Sequence, residues 1–284
     1  MRNHSYAVFV LNVMSASRPV IPAGRIASRS SSASRIRRES KEPLLAFPVL
    51  DKEPGRLGRR LAELRAGHPV WTYVVGILVA FGLIACLSIV LGLIVTRVLL
   101  HIHGVASDDE RFVGYLAHHR SSGLTGASLV GSIIAGGVVL PIVAGVAALA
   151  ACLAKHWRVA GFLLFALAVE SGSYRATTLV VHRDRPDVHR LESLPVNASY
   201  PSGHTAASIA VYGGIALLLT SRIKHRVAQV AIWVVAALIP VFVALSRMYR
   251  GMHHPLDVLG GVVIGIAALS ALVLVTRAAR SAAK

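Results

Sequence analysis

Long apolar segments alternate with short polar ones from residue 70 to about residue 275. The first segment runs from Val70 to Thr96 without a charged residue, which exceeds the roughly 20 residues that a helix needs to cross a bilayer core. Five more follow, at about 127–154, 159–181, 205–220, 227–245 and 258–275. This pattern predicts an all-α bundle of six membrane-spanning helices. Pro141 and Pro240 lie inside the second and fifth spans, where a proline produces a kink and not a break.

The first 68 residues have a different composition. Residues 28–35 read Ser-Arg-Ser-Ser-Ser-Ala-Ser-Arg, and such a stretch offers no apolar face to bury. Residues 1–68 are therefore predicted to be a basic, mostly disordered cytoplasmic tail, followed by a six-span domain at 69–276 and a basic C-terminus at 277–284. A helix near residues 53–66 would place four arginines on anionic lipid headgroups, and a solvated linker is the alternative. These arginines are Arg56, Arg59, Arg60 and Arg65.

Composition excludes an ordinary soluble domain. Of the 284 residues, 55% are hydrophobic and only 15% are charged, against about 25% charged residues in a typical soluble domain. The formal net charge of +17 would suit a nucleic-acid-binding protein, but the basic residues lie in the tail and between the apolar segments, where membrane topology places them. We therefore expect the lipid bilayer as the partner and no nucleic acid. Cys86 and Cys152 each lie inside an apolar segment, which predicts packing roles and no disulfide.

The basic residues near the span ends predict the orientation. They occur before the first span, between the second and third, between the fourth and fifth, and after the sixth, so that all four groups lie on one side, the cytoplasmic side. Beyond the tail arginines they are Lys155, Arg158, Arg222, Lys224, Arg226, Arg277, Arg280 and Lys284. The expected location is a bacterial plasma membrane, with both termini in the cytoplasm and residues 101–126 outside it. Ser107 and Glu110 have capping-box spacing, which predicts a short outer helix, either a connector or the border of a lipid entrance.

Two histidines and a carboxylate lie at the outer ends of predicted spans. His253 and Asp257 are four residues apart at the start of the sixth span, a spacing at which a carboxylate can hold one imidazole nitrogen and leave the other as a nucleophile. His204 follows Ser202 and Gly203 at the start of the fourth span, where a helix N-terminus and a glycine let an anion approach the backbone. A structural hydrogen bond and an ordinary capped turn also explain these patterns when each is taken alone.

Arginines accompany these groups. Arg247 precedes His253 by six residues, and Arg185 follows the third span; a guanidinium can bind two phosphate oxygens at once. Arg175 and Glu170 lie deeper in the third span, and ionisable groups within a span mark either function or an internal ion pair. These residues fall into three patches of the chain: Arg185-Pro186, Pro201 to His204, and Ser246 to Asp257. Together the three patches supply the groups that phosphoryl transfer needs when no metal takes part.

The three patches together resemble the type 2 phosphatidic acid phosphatase (PAP2) superfamily, which also includes the vanadium haloperoxidases. Its pattern is Lys-x6-Arg-Pro, then Pro-Ser-Gly-His, then Ser-Arg-x5-His-x3-Asp. The second motif is complete from Pro201 to His204 and the third from Ser246 to Asp257, while Arg185-Pro186 match the end of the first. The resemblance covers roughly residues 70–276. It implies a membrane-embedded lipid phosphatase of the PAP2 type with its site near the outer membrane surface.

The resemblance also implies a role for each motif residue. His253 attacks the phosphorus and forms a phosphohistidine, Asp257 orients His253, and His204 protonates the leaving group. The residues that hold the phosphate oxygens are Arg185, Ser202, Gly203 and Arg247. No metal or cofactor is required. The expected substrate is a lipid phosphate or diphosphate, such as phosphatidic acid, phosphatidylglycerol phosphate or a polyprenyl diphosphate.

One position departs from the pattern. Thr178 stands where the family has its lysine, which leaves Arg175 and Arg183 as substitutes between which the sequence does not choose. A lipid phosphotransferase would use the same residues with another acceptor. A noncatalytic lipid-phosphate binder or transporter would not need a nucleophile and an acid on separate motifs, and the predicted spans argue against a haloperoxidase. No pattern in the chain indicates an oligomeric state.

Overall fold

The computed structural model describes residues 47–53, 55–63 and 69–281. These residues contain no β-strand, which confirms the predicted all-α class for the described part. The helices are α1 Pro48–Asp51, α2 Arg56–Glu63, α3 Pro69–Arg97, α4 Val105–His118, α5 Ser122–Ile134, α6 Val139–Leu153, α7 Trp157–Val180, α8 Gly203–Thr220, α9 Arg226–Tyr249 and α10 Pro255–Ser281.

Four of these helices are long and apolar enough to cross a membrane. They are α3 with the turn that follows it, α8, α9 and α10, and the bent pair of α5 and α6 counts as a fifth if it forms one span. The chain is therefore a multi-pass integral membrane protein. The predicted count of six is not confirmed, because α7 is absent from this set. It occupies the predicted third span but carries Arg158, Glu170 and Arg175.

The second predicted span is divided into two helices. The axes of α5 and α6 differ by 45°, and the break contains Gly136 and Gly137, which have low helix propensity. The sequence predicted a kink at Pro141, but this proline lies in the first turn of α6, where a missing N–H costs nothing. Pro240 lies inside the continuous helix α9.

The core lies where α3, α7, α8 and α10 pack together. Its fully buried members include Phe162 of α7 and Ile264 of α10, whereas many large apolar side chains of α3, such as Leu78 and Leu83, are exposed. An apolar outer surface is expected of helices that face lipid. Cys86 and Cys152 belong to this surface: they are free, as predicted, but exposed, so the predicted packing role was wrong.

Helices α8 and α10 approach each other closely next to the sequence motifs. A Cβ at Gly261 would lie 2.5 Å from the carbonyl oxygen of Ser202, and one at Gly265 would lie 2.7 Å from that of Ala206. Glycines in α10 therefore let the backbone of α8 come this near. The N–H of Ser202 also donates to the carbonyl of Asp257 at 2.9 Å. The second and third motifs are joined in this way.

Part of the predicted tail is packed on the bundle. Residues Leu45–Lys284 form one compact unit, and Leu50 of α1 is buried in the core, so the packed unit begins before the predicted boundary at residue 69. Helix α2 confirms the helix predicted near residues 53–66. The predicted disorder of residues 1–46, and the prediction for Arg65, fall outside the described residues.

Candidate active site

His253 lies just before α10 and is buried. Its Nδ1 is 2.7 Å from the carbonyl oxygen of Ser199, and because a carbonyl can only accept a hydrogen bond, Nδ1 carries the proton and Nε2 keeps its lone pair. Burial lowers the pKa of His253 well below its usual value, and the charge of Arg247 acts in the same direction. The ring is therefore neutral at neutral pH, with a nucleophilic nitrogen.

Asp257, in the first turn of α10, does not hold His253 directly. Its Oδ2 is 3.9 Å from Nδ1 of His253, beyond hydrogen-bond distance, so the direct bond predicted from the spacing is not formed. The carboxylate instead accepts from the hydroxyl of Ser199 at 2.5 Å and from the backbone N–H of His254 at 2.8 Å, and it ion-pairs with Arg183. Since the Ser199 carbonyl also accepts the hydrogen bond from Nδ1–H of His253, Asp257 acts on His253 through Ser199.

Arg247, in the last turn of α9, is completely buried. Its Nη1 donates to the hydroxyl of Ser132 at 2.5 Å and to Oε2 of Glu192 at 2.6 Å. Within the described part of the chain, its Nε and Nη2 have no hydrogen-bond acceptor. These two nitrogens form one edge of the guanidinium, the edge that binds two oxygens of a phosphate or carboxylate in parallel.

The other motif residues lie at or near the ends of neighbouring helices. Arg185 donates to the carbonyls of Pro195 and Ala198, at 2.8 and 2.9 Å, and to that of Met252. Ser202 is fully buried at the start of α8, followed by Gly203 and His204. The charges of Arg185 and Arg247 act on both His204 and His253, so the three motifs converge on one place.

The two candidate substitutes for the missing lysine have different surroundings. Arg183 is buried between Asp109 and Asp257 and ion-pairs with both carboxylates. Arg175 is exposed on α7, and Thr178 donates to its backbone carbonyl. The alternative of an ion pair between Arg175 and Glu170 is not realised: the hydrogen bond of the buried Glu170 carboxylate comes from Ser171.

Sequence reasoning missed Glu192, which lies in the loop between α7 and α8. Its Oε1 accepts from Ser132 at 2.7 Å and from Nε of Arg250 at 2.5 Å, while Oε2 accepts from Arg247. Burial alone would raise the pKa of Glu192, but Arg247, Ser132 and Arg250 outweigh it and lower the pKa to about 2. The carboxylate is therefore ionised at neutral pH. Nothing in the loop sequence distinguished this acid from its neighbours.

Helix α4 contributes two further carboxylates that the sequence did not assign to the site. Asp109 accepts from Arg183 and from the backbone N–H of Leu256 at 3.0 Å, and Glu110 lies 2.8 Å from His254. The capping box predicted for Ser107 and Glu110 was wrong, because the helix begins after Gly104 and the Ser107 hydroxyl donates back to the Gly104 carbonyl. The sequence feature that could have indicated these two carboxylates is that Asp109 and Glu110 are adjacent acidic residues in a segment predicted to lie on the outer side.

A cavity of about 300 Å³ opens beside these residues. It is lined by His204, Glu192, Ser132 and the apolar residues around the break between α5 and α6, among them Leu129, Ile133 and Val138. These three side chains are also exposed on the outer surface of the bundle. The lining thus combines polar side chains, including that of the motif residue His204, with apolar side chains that also belong to the outer surface.

The motif region matches a known family. Residues 159–281 match the model of the PAP2 superfamily. Every motif residue from Arg185 to Asp257 lies inside the match, which confirms the resemblance drawn from the three patches.

Proteins with similar sequences include named phosphatases. An undecaprenyl-diphosphatase of Sulfolobus acidocaldarius is 41% identical over 75 residues, which cover 26% of this chain and 32% of that protein. Phosphatidylglycerophosphatase B of Bacillus subtilis is 37% identical over 92 residues, covering 30% of this chain and 42% of that protein. The chain thus spans less than half the length of these relatives.

The fold also resembles a solved PAP2 structure. The crystal structure of a transmembrane PAP2 type phosphatidylglycerolphosphate phosphatase from Bacillus subtilis superposes with a TM-score of 0.56 and 23% sequence identity, over 70% of this chain and 92% of that one. The similarity therefore extends beyond the motif region to most of the helical bundle.

Proposed function

We propose that this protein is a lipid phosphatase that hydrolyses a lipid phosphate or diphosphate through a phosphohistidine on His253. The observation that carries the proposal is the buried guanidinium edge of Arg247, which has no acceptor in the described residues, on a side chain whose charge acts on His253. A buried donor edge of this kind is costly unless an anion occupies it. A phosphoryl group supplies two parallel oxygens for it.

In the first step, the lone pair on Nε2 of His253 attacks the phosphorus. The bond between phosphorus and the leaving oxygen breaks, and His204 transfers its proton to that oxygen. The product that leaves is the lipid alcohol when the substrate is a monophosphate, and the lipid monophosphate when it is a diphosphate. Arg247, Arg185, Ser202 and the N–H of Gly203 stabilise the charge on the equatorial oxygens. The Ser199 carbonyl keeps the Nδ1 proton of His253 in place.

In the second step, water hydrolyses the phosphohistidine. His204, now without its proton, accepts one from the water, whose oxygen attacks the phosphorus. The bond to Nε2 breaks and orthophosphate leaves, so His253 and His204 return to their starting states. In this mechanism Arg183 does not replace the missing lysine as a phosphate ligand; its charge is neutralised by Asp109 and Asp257, and it positions Asp257 instead.

The surroundings of the site favour a lipid substrate. The cavity beside His204 is also lined by apolar residues around the break between α5 and α6, which suits a substrate whose phosphate binds near His204 while its hydrocarbon chain stays in the bilayer. The relatives' names suggest the substrates to try: undecaprenyl diphosphate and phosphatidylglycerol phosphate. Phosphatidic acid completes the set predicted from the sequence.

We also propose that the site faces away from the cytoplasm. Three segments predicted to be cytoplasmic meet at residues 47–49: the ring of His156 contacts Phe47 at 5.4 Å between centroids, Arg222 lies 4.5 Å above the same ring, and Arg277 donates to the Val49 carbonyl at 2.8 Å. Their common location supports the orientation inferred from basic residues.

The test is phosphate release by the purified full-length protein from each of the three lipids, with EDTA present. His253→Ala should abolish release, whereas His118→Ala, which changes an exposed histidine of α4, should not. Transfer of the phosphoryl group to an added alcohol, at the expense of free phosphate, would indicate a phosphotransferase. Full activity in His253→Ala would contradict the proposal.

A further inference from the structure

His254 lies next to the proposed nucleophile and between two carboxylates. Its Nε2 is 2.8 Å from Oε2 of Glu110, and its Nδ1 is 3.3 Å from Oδ2 of Asp257. The ring is buried at 7% exposure. An ionised carboxylate can only accept hydrogen bonds. Each ring nitrogen therefore has to carry a proton for both contacts to be hydrogen bonds, whereas a neutral ring would turn one lone pair toward a carboxylate.

Relying on the phosphatase proposed above, we propose that His254 is a positioning residue for His253 and works as an imidazolium held by Glu110 and Asp257. It does not touch the phosphate in this role. The three motifs do not include it, because the residue after the motif histidine is one of the unspecified positions in the family's pattern.

The connection from His254 to His253 passes through two residues. Oδ2 of Asp257 accepts hydrogen bonds from the backbone N–H of His254, from its protonated Nδ1 and, at 2.5 Å, from the Ser199 hydroxyl. The carbonyl of the same Ser199 accepts the Nδ1 proton of His253 at 2.7 Å. His254 thereby fixes the carboxylate that fixes Ser199, and Ser199 determines which nitrogen of His253 is nucleophilic.

The charges that face His254 set its response to pH. Burial alone would lower the pKa of His254, but the hydrogen bond and charge of Asp257 and the hydrogen bond of Glu110 outweigh it, against the opposing charge of Arg183, and the pKa is raised. A raised pKa means that the imidazolium is present at low and neutral pH and is lost as pH rises through the folded-state value. Positioning of His253 should therefore fail on the alkaline side.

The first experiment observes the two rings directly. Full-length protein labelled with ¹⁵N-histidine is placed in lipid nanodiscs and titrated by NMR, with the His254 signals assigned by their loss in His254→Phe. We expect both nitrogens of His254 to remain protonated above the ordinary histidine midpoint. Glu110→Gln should lower its midpoint by about one pH unit, while Asp108→Asn, which removes an exposed carboxylate from the same helix, should leave it unchanged.

The same spectra report the positioning of His253. Its Nδ1 proton, bonded to Ser199, should be protected from exchange in the parent protein and become labile in Glu110→Gln and in His254→Phe. Glu110→Gln changes a partly exposed side chain at the end of the hydrogen-bonded chain from Glu110 to His253. Its effect on the Nδ1 proton of His253 therefore tests the proposal even if His254→Phe does not fold. An ordinary midpoint for His254, or an unchanged His253 proton in Glu110→Gln, would overturn the proposal.

The second experiment uses activity. In Glu110→Gln, kcat should fall about tenfold to a hundredfold with little change in KM, and the alkaline limb of the kcat profile should move to lower pH. A merely structural loss would lower activity evenly across pH, which would count against the proposal. If the parent protein releases no phosphate from any lipid, the phosphatase assignment fails, and the NMR titration still decides whether His254 positions His253.

Discussion

At the scale of single residues, the site depends on Arg247, whose hydrogen-bond donors are divided between partners inside the protein and an edge without partners. One nitrogen, Nη1, donates to Ser132 and Glu192, whereas Nε and Nη2 on the other edge have no acceptor among the described residues. The internal contacts fix the plane of the guanidinium before substrate arrives. A lysine has a single ammonium on a flexible chain and cannot serve both sides in this way.

Arg247→Lys should therefore lower kcat by about a hundredfold to a thousandfold, the usual cost of losing one transition-state donor. Steady-state phosphate release at saturating lipid measures this. Arg111→Lys is the matched control, because Arg111 is an exposed arginine of α4 paired with Asp108. Equal kcat values for the two variants would show that the open edge of Arg247 takes no part in catalysis.

Glu192 places a negative charge at the site where the phosphate is proposed to bind. Because its charge repels an anion bound at the open edge of Arg247, Glu192→Gln should bind inorganic phosphate or tungstate several-fold more tightly, by relief of like-charge repulsion. Isothermal titration calorimetry measures the Kd. With a pKa of about 2, Glu192 stays ionised across the neutral range, so the gain should not vary with pH there. Weaker binding would mean that Glu192 mainly supports Arg247.

At the scale of elements, close helix contacts place the site residues. The approach of α8 to α10 brings Ser202 to Asp257. A second approach joins α5 to α9, where a Cβ at Gly131 would lie 2.1 Å from the Ser246 hydroxyl oxygen and 2.8 Å from its Cβ. This contact brings Ser132, the residue after Gly131, to Arg247.

Gly131→Ala should lower stability by about 1–3 kcal/mol, as overpacking does, and also reduce activity by shifting Ser132. Gly126→Ala, on the same helix, has nothing within 4 Å of the added Cβ and should be neutral or stabilising by up to about 1 kcal/mol. Thermal unfolding in detergent, followed by circular dichroism, compares the two. Equal melting temperatures would contradict the proposed tight contact.

Much of this arrangement could be predicted from the sequence, since it depends on local patterns. The apolar segments located the helices, and the order of the motifs located Arg185, His204, Arg247 and His253. The break between α5 and α6 was misplaced because the proline signal was given more weight than the two glycines. Such errors arise where two residue types that disfavour helices, here proline and glycine, occur a few positions apart and indicate different break points.

The supporting residues could not be predicted, because their partners are distant in the chain. Glu192 contacts Arg247 across 55 residues, and Glu110 contacts His254 across 144. Single acids in loops give no periodic signal, so only the packed structure shows which arginine or histidine they meet. The same holds for Arg183: its neighbours, not its position two residues before Arg185, determine that it binds carboxylates.

At the scale of the whole molecule, the proposed orientation predicts which loops can be labelled from outside. In a chain with Cys86→Ser and Cys152→Ser, a single cysteine at His189→Cys should react with a membrane-impermeant maleimide in intact cells, and one at Lys224→Cys should not. Both side chains are exposed, so accessibility depends on sidedness alone. Both should react after permeabilisation. The reverse labelling pattern would place the site in the cytoplasm.

Helix α4 links the site to its environment. Asp109 and Glu110 complete the ion pairs beneath the proposed nucleophile, yet neighbouring Phe112 and Tyr115 project their rings outward. A molecule that binds those rings and displaces the helix would therefore separate Asp109 and Glu110 from Arg183 and His254, two residues that contact Asp257, without entering the phosphate site. A change in bilayer thickness, or an antibody fragment raised against this surface, would then lower the turnover rate. Inhibitors of this kind would not need to resemble the substrate.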